Sequence, residues 1–306
     1  MANNKTNKEK IMALAKEINK KEGEGTLYSL GSEHANLTIP RWSTGIEDLD
    51  AIIGGGMPEG RVIQIVGAEG SGKTTLLYHL LSMHELALDI PIEGTFDAER
   101  AAIFGNRPKQ LLVYRARYGE DAMNRVIQFA KQGIPMIGID SIPSLIPKDD
   151  FEKIVTSADK NSIEQQSIGG IARLLNRYLP VIEDIIEHTG TTLIMANQLR
   201  DKMNAMMFGP KTDYSGGKKL RHSLSLNLEV ARRAWIDVPN KNPANSAKNE
   251  RVGMIMKVRV QKSKVNNPMG ECELPLFFDR GFVSHDDVKT IRQEIMAANN
   301  EKYNRR

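Results

Sequence analysis

The sequence contains very little cysteine and no long apolar run. Cys272 is the single cysteine among 306 residues, so no disulfide can form within one chain, and a reducing compartment is expected. It lies among strand-like residues and is interpreted as a small hydrophobic residue. No apolar run approaches the roughly 20 residues that cross a bilayer, and residues 1–5 lack the apolar segment of a signal peptide. These absences argue against a disulfide-stapled secreted domain and predict a cytoplasmic protein with no membrane partner.

The overall charge is close to balanced, with 42 Lys and Arg against 38 Asp and Glu. Its distribution is uneven, because residues 200–264 hold 15 basic and 5 acidic side chains, whereas the rest holds 27 and 33. A basic segment of this kind is typical of a protein with a polyanionic partner. A solvated surface whose charges pair elsewhere would have the same composition. Charge alone leaves both interpretations open.

The most specific motif is a phosphate-binding loop, G-x-x-x-x-G-K-[ST]. It consists of Gly67, Ala68, Glu69, Gly70, Ser71, Gly72, Lys73, Thr74 and Thr75. A strand-like run precedes it at 61–66 and a helix-like run follows at 76–81, which is the order the motif requires. Glycines let backbone N–H groups approach phosphates, Lys73 can reach the β- and γ-phosphates, and the Thr74 hydroxyl can bind Mg²⁺. The sequence therefore predicts a nucleotide site.

A second Mg²⁺ element is predicted at Asp140-Ser141, at the end of the apolar run 134–139. An Asp at the tip of a buried strand downstream of a phosphate loop is the usual partner of the loop hydroxyl; an Asp that only caps a turn is the alternative. A further strand is predicted at 92–96, and it would place Asp97-Ala98-Glu99 at the same edge of the sheet.

The order of strands and helices predicts an α/β core with a mainly parallel sheet. An amphipathic helix over 5–22 precedes it, and strand-like runs at 223–231, 253–262 and 271–278 predict a C-terminal β-hairpin extension. We divide the chain into an N-terminal helix and linker (1–40), a core that contains the phosphate loop (41–283) and a short helical tail (284–306), and the resemblance described next implies that the core is an ATPase.

Over about residues 25–282 the chain resembles the bacterial-type RecA family of homologous recombinases. The likeness includes the phosphate loop, the D-A-E at 97–99, Asp140-Ser141 and Asn197-Gln198. It implies a RecA-like core that hydrolyses ATP to ADP and phosphate with Mg²⁺. By the same resemblance Glu99 is the general base for the attacking water, and Gln198 senses the γ-phosphate. The residues alone leave open that Glu99 only caps a helix.

The resemblance also implies two DNA-binding loops, at about 159–170 and 199–215. Backbone amides in glycine turns and basic side chains can hold phosphates without reading bases, and apolar side chains can wedge between bases. The DNA-binding residues implied in this way are Gly169, Gly170, Arg173, Arg200, Lys202, Met207, Phe208, Lys211, Gly216 and Gly217.

Gln261-Lys262-Ser263-Lys264, followed by Pro268, resembles the family's K-x-K segment. The resemblance implies that Lys262 and Lys264 act across the subunit interface on the neighbour's γ-phosphate, and that the helix at 5–22 docks on the adjacent subunit. On charge alone, Lys262 and Lys264 would be interpreted as surface lysines. The expected assembly is a helical filament.

Three features depart from the family pattern. The sequence ends soon after Gly281-Phe282, whereas cellular relatives continue into a further domain, so a short, phage- or plasmid-encoded form is expected. His222 stands where the family usually has an aromatic residue that links the ATP and DNA sites. No aromatic is assigned to stack on adenine, and Tyr114 and Tyr118 are the nearby candidates.

These observations predict an ATP-dependent recombinase that forms filaments on single-stranded DNA and pairs it with homologous duplex, in recombination and repair. Single-strand-binding or loader proteins are further expected partners, and the expected location is the bacterial or phage-infected host cytoplasm. One alternative is a hexameric helicase or branch-migration motor, for which an additional N-terminal or zinc-binding domain would be expected. The other is a mediator that binds ATP without pairing DNA.

Overall fold

The computed structural model describes residues 6–23, 27, 38–94, 96–107, 109–156, 169–201, 212–240, 247–265 and 270–304. The chain divides into two compact units, Met1–Pro40 and Arg41–Arg306. None of the helices in these ranges is both long and apolar enough to span a bilayer.

The first unit contains helix α1 (Asn7–Glu22). Thr6 and Glu9 form a capping box, in which the Glu9 carboxylate accepts from Thr6 N–H at 2.9 Å and the Thr6 hydroxyl accepts from Glu9 N–H. Gly23, at φ 113°, ends the helix. Ile11 and Leu14 on the predicted apolar stripe are exposed. The amphipathic helix predicted at 5–22 therefore forms over 7–22.

The second unit alternates strands and helices. Its strands are β1 (Arg41–Trp42), β2 (Met57–Pro58), β3 (Val62–Gly67), β4 (Ala87–Pro91), β5 (Leu111–Val113), β6 (Met136–Asp140), β7 (Thr192–Asp201), β8 (Thr212–Tyr214), β9 (Leu226–Pro239), β10 (Asn249–Ser263), β11 (Glu271–Phe277) and β12 (Gly281–Phe282). Its helices are α2 (Glu47–Ile52), α3 (Lys73–Leu81), α4 (Ala98–Ile103), α5 (Gly119–Lys131), α6 (Lys148–Thr156), α7 (Gly170–Thr189), α8 (Gly217–Ser223) and α9 (Val288–Asn304), with a 3-10 turn at Ile142–Ser144.

The main sheet has the strand order β12-β11-β10-β9-β3-β7-β6-β4-β5. Strands β9, β3, β7, β6, β4 and β5 are parallel to their neighbours, and β9 to β12 are joined by antiparallel pairs. This arrangement confirms the mainly parallel α/β core with a C-terminal β extension. In open parallel sheets ligands bind beyond the carboxyl ends of the strands. The loops after β3, β4, β6 and β7 meet at that edge.

Apolar side chains cover both faces of the sheet. One cluster joins α3 to β9, β10 and β11 through residues such as Leu77, Leu228 and Met256. The other joins α5, α7 and α8 to the parallel strands through residues such as Val126, Leu179 and Ile139. Parallel strands buried on both faces consist of near-continuous apolar runs, which is why β3 and β6 could be predicted from the sequence.

Helix α9 packs on the extended end of the sheet, where Ile291 joins Ile236 and Phe277 in a third apolar cluster. Arg292 adds a hydrogen bond from its guanidinium to the carbonyl of Asp237 at 2.7 Å. The tail after residue 284 is therefore folded against β9 and β11.

Candidate nucleotide and DNA site

The phosphate loop connects β3 to α3 at the centre of the sheet. Gly70 and Gly72 have φ of 67° and 93°, a backbone conformation that glycine adopts without steric cost. A Cβ on Gly72 would lie 2.4 Å from the Met256 methyl carbon and 2.5 Å from that of Met254. The loop therefore packs against the Met254 and Met256 side chains of β10, and the positive φ of Gly72 would strain any other residue at this position.

Lys73 and Thr74 begin α3 and face the acidic end of β6. The Lys73 ammonium donates to the Ala68 carbonyl at 2.9 Å, within the loop itself. Burial lowers the pKa of Lys73, while the carboxylates of Asp140, Glu93 and Glu69 act in the opposite direction. An ammonium group held here can contact the terminal phosphates of a nucleotide.

Thr74 and Asp140 are positioned as oxygen ligands for Mg²⁺. The Thr74 hydroxyl donates to Asp140 Oδ2 at 2.6 Å. Burial raises the pKa of Asp140, and the Thr74 hydrogen bond opposes that shift. Hydroxyl and carboxylate oxygens are the ligands that Mg²⁺ prefers, so this pair fits the ion. Ser141 follows through a cis peptide bond.

Glu93 is the carboxylate that the structure places beside this pair. Strand β4 ends at Pro91, which lies opposite Asp140 in the sheet, so Glu93 is in the loop that leaves the strand. Glu93 Oε1 accepts from the Ser141 hydroxyl at 2.5 Å and from Gln198 Nε2 at 3.4 Å. Sequence reasoning missed this residue, although Glu93 follows a mostly apolar run at 87–92, interrupted only by Asp89, that marks the true strand.

Glu99 lies elsewhere. The strand predicted at 92–96 is wrong, because the strand is at Ala87–Pro91 and Asp97 instead caps α4, its Oδ1 accepting from Arg100 N–H at 2.9 Å. Glu99 is exposed in the first turn of α4 and does not line the nucleotide cavity. The alternative that Glu99 caps a helix is not what the structure shows either, because Asp97 is the N-cap and Glu99 follows it in the first turn. The general-base assignment therefore passes from Glu99 to Glu93 as a proposal.

These groups surround a cavity of about 380 Å³. Its wall comprises Gly70, Gly72, Lys73, Thr74, Thr75, Tyr78, Pro91, Glu93, Asp97, Arg100 and Asp140. Tyr114 and Tyr118, the two candidates for stacking on adenine, do not line this cavity. The Tyr114 hydroxyl donates to Asp121 at 2.9 Å, and Tyr118 packs against Phe151.

The side chains of Asn197, Gln64 and Asn227 form a buried amide network next to Gln198. Asn197 Oδ1 accepts from Gln198 N–H at 2.9 Å, and Asn197 Nδ2 donates to Gln64 Oε1 at 2.9 Å and to the Ser215 carbonyl at 2.8 Å. Gln64 in turn donates to Asn227 at 3.0 Å. Buried amides satisfied in this way fix one another's orientation. The network joins β3, β7 and β9 to the segment that precedes α8.

The glycines predicted to bind DNA are brought together. Gly169, Gly170, Gly216 and Gly217 line one cavity of about 950 Å³, and Glu93 lies in its wall as well. A Cβ on Gly217 would lie 2.9 Å from the Ala172 Cβ, so the second glycine turn packs closely against the first turn of α7. Arg173 lines the adjoining cavity at the start of α7. Lys202, Met207, Phe208 and Lys211 lie outside the described residues, and for Arg200 only the backbone, in β7, is described.

Lys262 and Lys264, at the end of β10, contact the C-terminal end of α8. Neither lines the wall of the nucleotide cavity. Their ammonium groups donate to the carbonyls of Arg221 and His222. Burial and the charge of Lys264 lower the pKa of Lys262. The structure thus brings His222 and the two lysines together, separate from the phosphate loop of the same chain.

Asp89 is a buried carboxyl on β4 that sequence reasoning did not single out. It is fully buried, and no side chain among the described residues donates a hydrogen bond to either of its oxygens. Burial, followed by repulsion from Asp140, raises the pKa of Asp89 to about 8. Tyr78 is the other titratable group with which it interacts, and it too has a raised pKa.

We expect Asp89 to make the stability of the fold depend on pH. Its unfolded pKa is about 3.9, so folding takes up a proton between about pH 4 and pH 8. The free energy of unfolding should therefore fall as pH rises through that window, by an amount on the order of 5 kcal/mol. Urea titrations at several pH values should show this slope reduced in Asp89→Asn and retained in Asp287→Asn, whose carboxylate is exposed. Equal slopes in all three proteins would contradict it.

A phosphate loop at the centre of a parallel sheet, facing an Asp and a Glu at neighbouring strand ends, defines the phosphate-loop NTPase class. The family model described as RecA N-terminal domain matches residues 9–283. The chain belongs to the RecA family.

Its relatives include bacterial and plastid proteins. A Protein RecA of Mycoplasma genitalium is 34% identical over 269 residues, covering 86% of this chain and 74% of the relative. A Protein RecA of Campylobacter fetus is 31% identical over 289 residues, covering 92% and 79%. The DNA repair protein recA homolog 1, chloroplastic, of Arabidopsis thaliana is 32% identical over 276 residues, covering 89% and 59%.

Proposed function

We propose that this chain is an ATP-dependent recombinase that assembles on single-stranded DNA and pairs it with homologous duplex. Family membership carries the recombinase function and implies a DNA-dependent ATPase. The observation that supports the detail is the position of Glu93, which lies in the wall of both the nucleotide cavity and the glycine-lined cavity. A group shared by both sites can respond to a nucleotide and to DNA.

We assign the nucleotide chemistry to five side chains. Lys73 neutralises charge on the terminal phosphates, and Thr74 and Asp140 hold Mg²⁺, which when bound offsets charge on the phosphate oxygens. Glu93 orients and deprotonates the attacking water as general base. Gln198 would report the state of the γ-phosphate, and its hydrogen bond to Glu93 at 3.4 Å supports this role.

A change in the position of Gln198 can be transmitted to the proposed DNA loops through Asn197. This residue contacts both Gln198 and the Ser215 carbonyl, directly before Gly216 and Gly217. Backbone N–H groups of the two glycine turns would bind DNA phosphates together with Arg173. Arg200, Lys202, Met207, Phe208 and Lys211 complete the proposed DNA site.

Two features support assembly between subunits. Lys262 and Lys264 are outside the nucleotide cavity of their own chain, as expected if they act on a neighbour's γ-phosphate. The exposed apolar stripe of α1, with Ile11 and Leu14, would dock on an adjacent subunit. Stacking subunits in this manner produces a filament with ATP between them.

A strand-pairing assay tests the proposed function. A labelled single strand is mixed with homologous or non-homologous duplex, ATP and Mg²⁺, using the wild type and Lys73→Ala. We expect ATP-dependent joints with the homologous duplex alone, and none with Lys73→Ala. Unwinding irrespective of homology would instead support a motor. Tight single-strand binding without joints would support a mediator.

A further inference from the structure

The nucleotide cavity continues from the phosphate loop along α3 towards α4. Lys73, Thr74, Glu93 and Asp140 line one end, where the phosphates bind at the N-terminus of α3. Thr75 and Tyr78, further along α3, and Asp97 and Arg100, from α4, line the remainder. The base of a nucleotide must lie away from the strand-end carboxylates, so it is directed to the α4 side.

The aromatic residue in the described wall cannot present its ring to a base. Tyr78 is only 2% exposed. Its ring packs edge-on against Phe96, with centroids 6.0 Å apart and planes at 72°. The ring is therefore committed to the core, and stacking on the base needs another flat group.

Arg100 supplies a flat group at this wall. It is exposed on α4, and its Nη2 donates to the Thr75 hydroxyl at 2.9 Å. In the described parts of the chain, no carboxylate lies within ion-pair distance of Arg100 and no aromatic ring lies over its guanidinium. The Thr75 hydrogen bond holds the group beside the cavity, and its planar face has no protein ring to cover it.

We propose that Arg100 holds the base of the bound nucleotide by stacking its guanidinium plane on the base. A guanidinium group is planar, delocalised and weakly hydrated, and it stacks on flat rings as an aromatic side chain does. The inference rests on the nucleotide-binding part of the proposed function and adds the residue that binds the nucleoside end.

Two ligands separate a base contact from a phosphate contact. ATP carries a base, whereas inorganic tripolyphosphate carries the phosphates alone. Affinities of both are measured with Mg²⁺ by competition against a fluorescent nucleotide. The proteins are the wild type, Arg100→Ala, Arg100→Lys, Arg100→Tyr and the control Arg107→Ala. Arg107 is exposed just after α4 and is not in the cavity wall.

Arg100→Ala should bind ATP about tenfold more weakly, as expected for loss of one stacked base, and should bind tripolyphosphate as the wild type does. Arg100→Lys keeps the charge without the plane and should remain weak. Arg100→Tyr keeps a plane without the charge and should recover ATP binding. Arg107→Ala should match the wild type for both ligands.

Weaker binding of both ligands, with recovery in Arg100→Lys, would overturn the stacking role in favour of a phosphate contact. Unchanged ATP affinity in Arg100→Ala would overturn the inference while leaving the proposed function intact. A wild type that binds tripolyphosphate but not ATP would overturn both. Melting temperatures of the variants check that each is folded.

Discussion

Lys73→Ala should lower ATP turnover by at least about a hundredfold, the loss expected when one preorganised charge partner of the transition state is removed. The Lys73 ammonium is held at the phosphate loop by the Ala68 carbonyl, with Asp140 and Glu93 acting on its charge. Lys73 is the only lysine or arginine in the loop, residues 67–75. Turnover is measured as phosphate release in the presence of single-stranded DNA.

Lys131→Ala is the matched control for this change. Lys131 is exposed at the end of α5 and is not in the cavity wall, so turnover should stay at the wild-type level. A Lys73→Ala protein that melts like the wild type and still hydrolyses ATP at the wild-type rate would contradict the assignment of the nucleotide site.

Glu93→Gln should reduce hydrolysis by about a hundredfold or more, the usual contribution of a general base, and should leave ATP binding in place. Glutamine has nearly the same shape and can still contact Ser141 and Gln198, but it cannot accept a proton from water. Because ATP would persist between subunits, filaments on single-stranded DNA should be longer-lived. Single-turnover hydrolysis and nucleotide affinity are the two measurements.

Glu99→Gln provides the matched control, since it makes the same change six residues away on the exposed face of α4. Its turnover should equal that of the wild type. The reverse result, with a normal rate in Glu93→Gln and a large loss in Glu99→Gln, would restore the D-A-E assignment. Equal losses in both would mean that neither assignment is adequate.

Glu93 and Glu99 show why matching a sequence motif is not enough to locate the proposed general base. Residues 97–99 match the D-A-E pattern, but a base must stand at the edge of the sheet beside Asp140. That edge is decided by the pairing of β4 with β6, in which Pro91 lies opposite Asp140. The strand predicted at 92–96 lies beyond the true strand, Ala87–Pro91. The carboxylate assigned as the base was therefore Glu99, in helix α4, instead of Glu93, in the loop that follows the strand.

The proposed role of Arg100 and the isolation of the Asp89 carboxyl could not be predicted from the sequence, for related reasons. Arg100 acquires a role only because α4 packs beside α3 and brings its guanidinium to Thr75. Asp89 lies in an apolar run, and its isolation depends on which strands and helices cover it. In neither case does a residue's type indicate its surroundings.

Prediction from the amino-acid sequence succeeded for the phosphate loop, for Asp140 at a strand end, for the α/β alternation and for the likeness to the RecA family. These are local or periodic properties: short spacings set by backbone geometry, and apolar runs set by burial. Three relations became visible in the folded chain alone: which carboxylate faces the phosphate loop, which flat group lines the base end, and how Asn197 joins Gln198 to Ser215. Those relations link residues distant along the chain, and they exist only once the strands have paired and the helices have packed on them.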